Sequence, residues 1–268
     1  MKIFETVSFH VVKPCNMRCK LCYATFEDFN VVNQLSFDNA CIIIGKLYYA
    51  GVKKITFAGG EPMLYKHLDD CITFAKALGM TTSIITNGSM LTENWLFKMR
   101  DDLDWIGISI DSLNSKTNEL IGRTAKYGLN YEDIIYFIKK YNYKLKINTV
   151  VNHYNKDEDL NDFITRAKPS RWKVFQALRI EGQNDTQFDE IKVSTEEFNS
   201  FIDKHKHQSC IVPESNELMT GSYLLIDPLG RMFENSEGKH TYSDSLIYNS
   251  VFDCLKQINL NRNTFLER

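Results

Sequence analysis

Three closely spaced cysteines, Cys15, Cys19 and Cys22, are the residues of this sequence most suited to chemistry. They form the pattern C-x3-C-x2-C directly after an apolar, strand-like run at 7–12. Thiolates this close can converge on one soft metal centre, either zinc or an iron–sulfur cluster. Structural zinc needs four ligands, and we find no second Cys-Cys or Cys-His pair at a suitable spacing. Three thiolates fit a four-iron cluster with one iron open to a small molecule, with zinc or a disulfide as the alternatives.

A tight glycine turn, Gly59-Gly60-Glu61-Pro62, follows the second predicted strand. Glycine lets the backbone approach a ligand closely, because it has no side chain. The same four residues are equally typical of a plain turn. The turn therefore predicts a ligand contact only in combination with the cysteines.

A face rich in cations is predicted from strand alternation, since side chains of equal parity share one face of a strand. On three predicted strands this face carries Lys54, Thr56 and Ala58, then Lys144, Lys146 and Asn148, then Arg171, Lys173 and Phe175. The opposite face is mainly apolar and should pack on helices. Buried, unpaired cations are costly, so these should share an anion or line a wet cavity. Converging Lys and Arg suit a polyphosphate; solvated strand ends are the alternative.

Alternating strands and helices must position these residues. Strands are predicted at 7–12, 53–57, 82–86, 105–110, 144–151 and 171–178. Helices are predicted at 36–50, 66–78, from 92 onward and at 157–168. Repeated βαβ units give a parallel sheet, and six units are too few for a closed eight-stranded barrel. We therefore expect an α/β fold, an open partial (βα)6 barrel over residues 1–180, with its site at the carboxyl ends of the strands.

Residues 181–268 differ in character and are interpreted as an α+β cap that covers the active site within the same compact unit. The segment 181–192 is polar and predicted to be loop, and Ser194 is the predicted start of a helix that reaches about 207. Apolar runs at 223–227 and 231–233 flank Pro228-Leu229-Gly230, which predicts a hairpin. A further helix is predicted within 245–258.

The composition is that of a soluble globular protein. The chain has 268 residues, of which 43% are hydrophobic and 25% charged, with a net charge of −2. This balance gives no electrostatic basis for general binding to nucleic acid or membranes. The other four cysteines are scattered, which is typical of a reducing compartment rather than a disulfide framework, and Cys41 and Cys71 are predicted to be buried. No signal peptide precedes the first strand, so we expect a cytoplasmic protein, with a monomer as the default.

The cysteine loop and the glycine turn together resemble the signature of the radical S-adenosylmethionine (SAM) superfamily. The resemblance implies that Cys15, Cys19 and Cys22 hold a 4Fe-4S cluster. It also implies that the glycine turn, Gly59, Gly60 and Glu61, binds the SAM amino group and that the backbone near Tyr23 meets the adenine. Ser109 and Arg123 would contact the SAM ribose or carboxylate; a strand-end hydroxyl and a solvated loop cation are the alternatives.

A closer resemblance is to the viperin family, which includes prokaryotic members. It rests on FAGGEP at 57–62, LIGR at 120–123, KIN at 146–148, RWKVFQ at 171–176, IEGQN at 180–184, VPESN at 212–216 and SYL at 222–224, in this order. These enzymes are radical SAM nucleotide dehydratases. They convert a ribonucleoside triphosphate into its 3′-deoxy-3′,4′-didehydro form, an antiviral chain terminator.

The viperin resemblance also implies residue roles and a mechanism. Lys54, Lys146, Arg171 and Lys173 would bind the triphosphate, Asn148 would contact the substrate, and Tyr223 would deliver the final hydrogen equivalent. An external one-electron donor, similar to flavodoxin or ferredoxin, would reduce the cluster. SAM cleavage would then give a radical that takes the C4′ hydrogen, and the 3′-hydroxyl would leave as water. For Tyr223, a half-buried strand aromatic is the alternative.

Three features depart from the animal members of the family. This chain lacks their N-terminal amphipathic helix, so we expect no membrane association. Ser8 and Ala58 stand where animal viperins have Asn and Ser near the substrate, which leaves the choice between CTP and UTP open. The chain ends short of the animal C-terminal tail, so the site closes differently or the sequence is trimmed.

Two other function classes are compatible with the cysteine loop. One is another radical SAM enzyme, such as a peptide maturase or a molybdopterin-pathway cyclase; many of these carry extra cysteines for an auxiliary cluster, whereas Cys210 and Cys254 are isolated. The other is an iron–sulfur sensor protein, which would bind a cluster without cleaving SAM. A sensor leaves the glycine turn and the cationic face unexplained, so the sequence favours the dehydratase.

Overall fold

A computed structural model describes residues 4–27, 30, 35–125 and 130–260. Within these residues ten strands form one sheet, in the order β10-β9-β8-β1-β2-β3-β4-β5-β6-β7. The strands are β1 Thr6–His10, β2 Lys54–Ala58, β3 Thr81–Thr86, β4 Trp105–Ser109, β5 Lys144–Val151, β6 Arg171–Gln176, β7 Ile211–Glu214, β8 Leu225–Ile226, β9 Arg231–Glu234 and β10 Thr241–Ser245. Residues 126–129 and the end of the chain at 261–268 lie outside the described residues.

Helices connect the strands and cover one face of the sheet. They are α1 Phe37–Tyr49, α2 Leu68–Ala77, α3 Glu93–Met99, α4 Ser115–Leu120, α5 Tyr131–Lys140, α6 Asn161–Ala167, α7 Phe188–Ile191, α8 Thr195–His205, α9 Asn216–Met219 and α10 Val251–Leu255. The predicted N-caps are present: Ser36, Thr92 and Ser194 each accept a hydrogen bond from a first-turn backbone N–H. The predicted helix at 157–168 is shorter, because it begins at Asn161 and ends where Lys168 adopts a left-handed φ of 42°.

The first six strands pair in parallel and in sequence order, as the alternation of strands and helices predicts. The sheet is open, since β10 and β7 stand at opposite ends of the strand order. This confirms the expected α/β partial barrel. The cysteine loop follows β1 and the glycine turn follows β2, so both lie at the carboxyl edge of the parallel strands.

The core lies between the sheet and its helices. Ile55, Phe57, Ile147, Trp172 and Val174 are each at most 1% exposed. These are the residues of opposite parity to the cations, and burying them on the helices is the hydrophobic gain that fixes which face looks inward.

The C-terminal segment contributes strands at both edges of the sheet. β7 pairs in parallel with β6, while β8 pairs in parallel with β1 and begins the predicted hairpin with β9. The connection 215–224 therefore runs from one edge of the barrel strands to the other. Neither β7 nor β10 was predicted: β7 contains Pro213, which is tolerated only on an edge strand, and β10 is mostly polar.

Burial tests the prediction made for two of the scattered cysteines. Cys71 is fully buried as predicted, but Cys41 is only half-buried, because α1 turns that position away from the core. Among the described residues, no helix is long and apolar enough to cross a membrane.

Candidate active site

The cysteine loop, residues 11–27, presents Cys15, Cys19 and Cys22 as half-buried free thiols. The backbone N–H of Cys22 donates to the carbonyl of Cys19 at 3.1 Å, and the N–H of Met17 donates to Cys15 Sγ at 3.4 Å. The first bond folds the second half of the motif into a turn. The loop thus gathers the three sulfurs without joining any two in a disulfide.

The glycine turn braces the cysteine loop directly. The N–H of Gly60 donates to the carbonyl of Val12 at 2.7 Å. A Cβ added to Gly60 would stand 2.2 Å from the carbonyl oxygen of Lys13, and one on Gly59 would stand 2.6 Å from that of Val12. Such distances are far below contact, so both positions need glycine for the close approach of two backbones. The missing side chains make room for the loop itself.

A second brace comes from the turn after α4. The N–H of Arg18 donates to the carbonyl of Gly122 at 3.2 Å, and that of Lys20 to the carbonyl of Ile121 at 2.9 Å. Gly122 has a φ of +77°, and a Cβ there would stand 2.1 Å from the carbonyl oxygen of Arg18. The LIGR stretch at 120–123 therefore holds the loop from its other side.

Glu61 is buried, and its hydrogen bonds link the turn after β2 to the end of β3. Its carboxylate accepts from Thr86 Oγ1 at 2.6 Å, from the N–H of Asn87 at 2.9 Å and from the N–H of Met63 at 3.2 Å. Burial raises the pKa of Glu61, and these hydrogen bonds oppose the rise. Asn87 continues the chain of contacts by donating to Asn16 Oδ1 at 2.8 Å. Sequence reasoning missed Asn87 and Asn16, although Asn87 follows β3 at the predicted edge.

Arg123 is buried and paired with Asp111. Its Nε and Nη2 each stand 2.6 Å from Asp111 Oδ2, and Nη1 donates to the carbonyl of Ser109 at 3.4 Å. Burial alone would lower the pKa of Arg123, but the Asp111 carboxylate and the nearby Cys19 raise it. The alternative of a solvated loop cation is therefore wrong. Asp111, which the sequence analysis missed, follows Ser109 at equal parity just beyond β4.

His10 and Tyr23 meet where β1 enters the cysteine loop. Tyr23 is partly exposed, and its Oη lies 3.3 Å from Nε2 of the buried His10. Burial lowers the pKa of His10 to about 3, so the ring is neutral at physiological pH. Strand alternation places His10 on the inner face, beside Ala58 in register. His10 carried no role in the sequence analysis, although its parity with Ser8 was a usable signal.

Three half-buried free thiols on one short loop are soft ligands of the kind that an iron–sulfur cluster takes. Within the described part of the chain, no three His, Cys, Asp or Glu side chains are placed to hold a single metal ion. Burial raises the pKa of both Cys15 and Cys19, and the nearby Arg123 opposes that rise, which favours the thiolates that a cluster requires.

Lys54, Lys146, Arg171 and Lys173 converge on the inner face of the sheet. Burial, followed by the charges of Lys173, Lys54 and Arg171, lowers the pKa of Lys146 to about 7. Burial, Arg171 and Lys144 likewise lower the pKa of Lys54. Because the other three cations all act on Lys146, the four residues form one electrostatic site. We call these four residues the cation cluster.

The register of β4, β5 and β6 arranges the inner face in rows. Gly107, Lys146 and Arg171 are cross-strand neighbours in one row, and Ser109, Asn148 and Lys173 are neighbours in the next row toward the carboxyl edge. Rows two residues apart are separated by about 6.6 Å. Lys146 and Arg171 therefore lie one row deeper in the barrel than Ser109 and Lys173, and the cysteine loop lies at the carboxyl edge above both rows.

Two details of the inner face bear on ligand binding. A Cβ on Gly107 would stand 3.0 Å from Lys146 Cε, so the glycine leaves space for the lysine side chain. Asn148 is buried, and its Oδ1 has no hydrogen-bond partner within the described structure. A buried, unsatisfied acyl oxygen at the centre of the face is suited to a bound ligand.

Tyr223 lies just before β8 in the chain, and its side chain contacts Lys173 of β6. Lys173 Nζ donates to Tyr223 Oη at 2.8 Å and stands 2.5 Å from Glu214 Oε1. Tyr223 Oη donates in turn to Glu214 Oε2. Glu214 ends β7 and was not predicted as a site residue, although it lies in the VPESN stretch.

The two positions that differ from animal viperins lie elsewhere on the inner face. Ser8 is the register partner of Thr56, and Ala58 is the partner of His10. Ala58 is buried and Ser8 half-buried. The structure thus places them together on β1 and β2, away from β5 and β6.

Comparisons of fold agree with this architecture. Residues 11–167 match the Radical SAM superfamily. The structure of native anSMEcpe with bound AdoMet superposes with a TM-score of 0.72 at 12% identity, covering 98% of this chain and 82% of that one. Methylornithine synthase (PylB) superposes with a TM-score of 0.57 at 16% identity, covering 78% and 64%. At such identities the likeness establishes the fold. Enzymes of this superfamily use a 4Fe-4S cluster and SAM.

Comparisons of sequence are more specific. An S-adenosylmethionine-dependent nucleotide dehydratase of Lacinutrix mariniflava is 47% identical over 98% of this chain, which spans only 57% of that protein. One of Flammeovirga pacifica is 42% identical, covering 99% of this chain and 94% of the relative. The S-adenosylmethionine-dependent nucleotide dehydratase RSAD2 of Danio rerio is 35% identical, covering 98% and 76%. The chain therefore belongs to the radical SAM superfamily and, within it, to the viperin family of S-adenosylmethionine-dependent nucleotide dehydratases.

Proposed function

We propose that this protein dehydrates a ribonucleoside triphosphate, CTP or UTP, to the 3′-deoxy-3′,4′-didehydro nucleotide, an antiviral chain terminator. The relatives named nucleotide dehydratases support the reaction class. The observation that carries the substrate class is the cation cluster. The overlapping fields of its four cations call for an anion of several charges, which a triphosphate supplies.

The side chains of the cation cluster are well matched to phosphate. Arg171 offers a planar fork of donors, while Lys54 and Lys146 act as point charges on either side. Lys146 pairs in register with Arg171, so both can reach the same phosphate chain. The lowered pKa of Lys146 means that a bound anion would restore its charge. The nucleotide therefore stabilises the charged form of Lys146, which burial and the neighbouring cations disfavour.

The ribose would lie at the row of Ser109, Asn148 and Lys173, which is one row nearer the carboxyl edge than Lys146 and Arg171. With the phosphates on the deeper row, a sugar about one row nearer the carboxyl edge meets Asn148 and Lys173. Asn148 supplies its unpartnered Oδ1 to a ribose hydroxyl. The 4Fe-4S cluster and SAM, when bound, supply a carbon radical able to remove the C4′ hydrogen. The protein then contributes position and exclusion of competing reactions.

The remaining residue roles form part of the same proposal. Cys15, Cys19 and Cys22 hold the cluster, and the backbone of the glycine turn and of Tyr23 lines the SAM site. Ser109 and Arg123 lie at the SAM end of the face, where Arg123 acts chiefly through Asp111 and the loop. Lys173 binds the triphosphate on the side nearest the ribose, and Tyr223 delivers the final hydrogen equivalent.

Partners and setting are also proposed. An external flavodoxin- or ferredoxin-like protein supplies single electrons, and the enzyme works as a cytoplasmic monomer without membrane or nucleic-acid association. Residues 1–180 form the barrel, and residues 181–268 form a C-terminal extension of the same unit. Ser8 and Ala58, together on β1 and β2, are the positions to vary for base preference.

An anaerobic assay tests the function. The cluster-reconstituted protein is given SAM, dithionite and an equimolar mixture of the four ribonucleoside triphosphates. We expect one pyrimidine triphosphate to lose the mass of one water in step with 5′-deoxyadenosine formation. 5′-Deoxyadenosine without a dehydrated nucleotide would leave a radical SAM enzyme of another substrate. An intact cluster and bound SAM with neither product would refute the catalytic assignment.

A further inference from the structure

Lys173, Glu214 and Tyr223 form a closed triangle in which each group contacts the other two. The ammonium of Lys173 stands 2.5 Å from Glu214 Oε1 and donates to Tyr223 Oη at 2.8 Å. The phenol donates to the other oxygen of Glu214. We call these three residues the proton triad. They come from β6, the end of β7 and the start of the β8 region.

Glu214 is a costly residue to place at this position. It is 3% exposed, and a buried carboxylate needs partners for both oxygens. Two of its partners are Lys173, which the proposed function places on the triphosphate, and Tyr223, which it makes the final hydrogen donor. Glu214 also raises the pKa of Lys146, so it lies at the edge of the cation cluster. The carboxylate is therefore placed to act on both site residues.

The proposed reaction has a proton requirement that this triangle can meet. After the C4′ hydrogen is removed, the sugar radical must lose its 3′-hydroxyl and gain one electron to form the C3′–C4′ double bond. The departing hydroxide needs one proton to become water. A phenol that gives up an electron becomes strongly acidic and must release its proton to a neighbouring base. Tyr223 has Glu214 as that base, and Lys173 is an acid beside it.

Resting on the proposed function, we infer that Glu214 is the proton acceptor of Tyr223 and returns that proton to Lys173, the acid that protonates the leaving 3′-hydroxyl. Tyr223 passes one electron to the substrate and its phenolic proton to Glu214. Lys173 gives a proton to the hydroxide, which leaves as water, and regains one from Glu214 across their 2.5 Å contact. The external one-electron donor and one solvent proton then restore the Tyr223 phenol. The dehydration step therefore consumes one electron and one proton, in addition to the electron that the cleavage of SAM takes.

The test compares Glu214→Gln with Glu217→Gln, an exposed carboxylate on α9. Two quantities are measured for each reconstituted protein: dehydrated nucleotide formed per 5′-deoxyadenosine, and triphosphate affinity by calorimetry without reductant. For Glu214→Gln we expect the product ratio to fall about tenfold or more, as for loss of a general base. Its triphosphate affinity should stay within about threefold of wild type or tighten, because Lys173 loses a competing anion. Glu217→Gln should match wild type in both.

Each other outcome counts against a definite part of the account. An unchanged product ratio in Glu214→Gln overturns the relay, and so does a ratio that falls together with triphosphate affinity, since that indicates a structural role. If Glu214→Gln fails to fold, Tyr223→Phe is measured instead, which keeps the Lys173–Glu214 ion pair; a wild-type ratio there overturns the relay. If the wild type dehydrates no triphosphate, the proposed function fails and the relay fails with it.

Discussion

Arg123 and Asp111 form a buried ion pair at the base of the cysteine loop, with two guanidinium nitrogens 2.6 Å from one carboxylate oxygen. The other carboxylate oxygen of Asp111 accepts a hydrogen bond from the N–H of Val150 at 2.8 Å. One carboxylate therefore ties the turn after α4 to the edge of β5. Since Gly122 on the same turn holds Arg18, the pair also fixes the loop that carries the cysteines.

Asp111→Asn should therefore destabilise the protein strongly. It leaves the Arg123 guanidinium buried without a counter-charge, a change that costs about 3–5 kcal/mol in buried pairs. Urea denaturation followed by circular dichroism measures the loss. Asp101→Asn is the matched control, because Asp101 is exposed and stands 3.4 Å from an exposed Arg100. A loss below about 1 kcal/mol in Asp111→Asn, the level of an exposed pair, would contradict this role.

Gly60→Ala should prevent the cysteine loop from taking its position. The added Cβ would stand 2.2 Å from the carbonyl oxygen of Lys13, so one of the two backbones must move. We expect iron and sulfide content after reconstitution to fall severalfold. Gly45→Ala in α1 is the control, since a Cβ there meets nothing within 4 Å and alanine favours the helix. Equal iron content in the two variants would show that the loop does not depend on this close approach.

Single alanine substitutions of Cys15, Cys19 and Cys22 should each abolish the visible absorption of the reconstituted cluster. A cluster with three protein ligands cannot lose one and keep its stability. Cys210→Ala is the control, because Cys210 is a half-buried free thiol at the start of β7. Retention of the full cluster spectrum in any of the three variants would remove that cysteine from the ligand set.

Triphosphate binding should be accompanied by proton uptake at pH 8. The pKa of Lys146 is about 7 without a ligand, so at pH 8 most molecules carry the neutral amine, and nearby phosphates favour the ammonium. Calorimetry in two buffers of different ionisation enthalpy should show uptake approaching one proton at pH 8 and fading below pH 6. Lys146→Met should bind more weakly and show no uptake. Uptake that persists in Lys146→Met would assign the proton to another group.

The same shift has a consequence for stability without ligand. The folded state binds fewer protons than the unfolded chain between the folded pKa of about 7 and the ordinary value of 10.5. The Lys146 contribution to the free energy of unfolding therefore rises with pH across that window.

The sequence predicted what periodicity and spacing determine. Six strands, the inward face with its cations and the edge position of the cysteine loop all follow from alternation and connection order. Lys146 shows the limit of this reasoning: its parity placed it on the inner face, but its lowered pKa depends on three charges from other strands.

Residues that act through contacts distant in sequence were missed. Glu214 meets Lys173 only because β7 adds to the sheet beside β6, and nothing local in a four-residue strand with a proline signals that pairing. Asp111 could have been predicted from the sequence, since it lies two residues beyond Ser109 and has the same parity. The glycine turn was predicted to bind a ligand, and the sequence did not indicate that a Cβ on Gly59 or Gly60 would collide with the cysteine loop.

The most direct test of the central claim follows one hydrogen atom. The triphosphate that the enzyme prefers is prepared with deuterium at C4′ and incubated anaerobically with the reconstituted protein, SAM and dithionite. The account predicts 5′-deoxyadenosine carrying one deuterium and, in equal amount, a nucleotide that has lost both that deuterium and one water. Unlabelled 5′-deoxyadenosine, or labelled 5′-deoxyadenosine with the 3′-hydroxyl still in place on every nucleotide recovered, would contradict it.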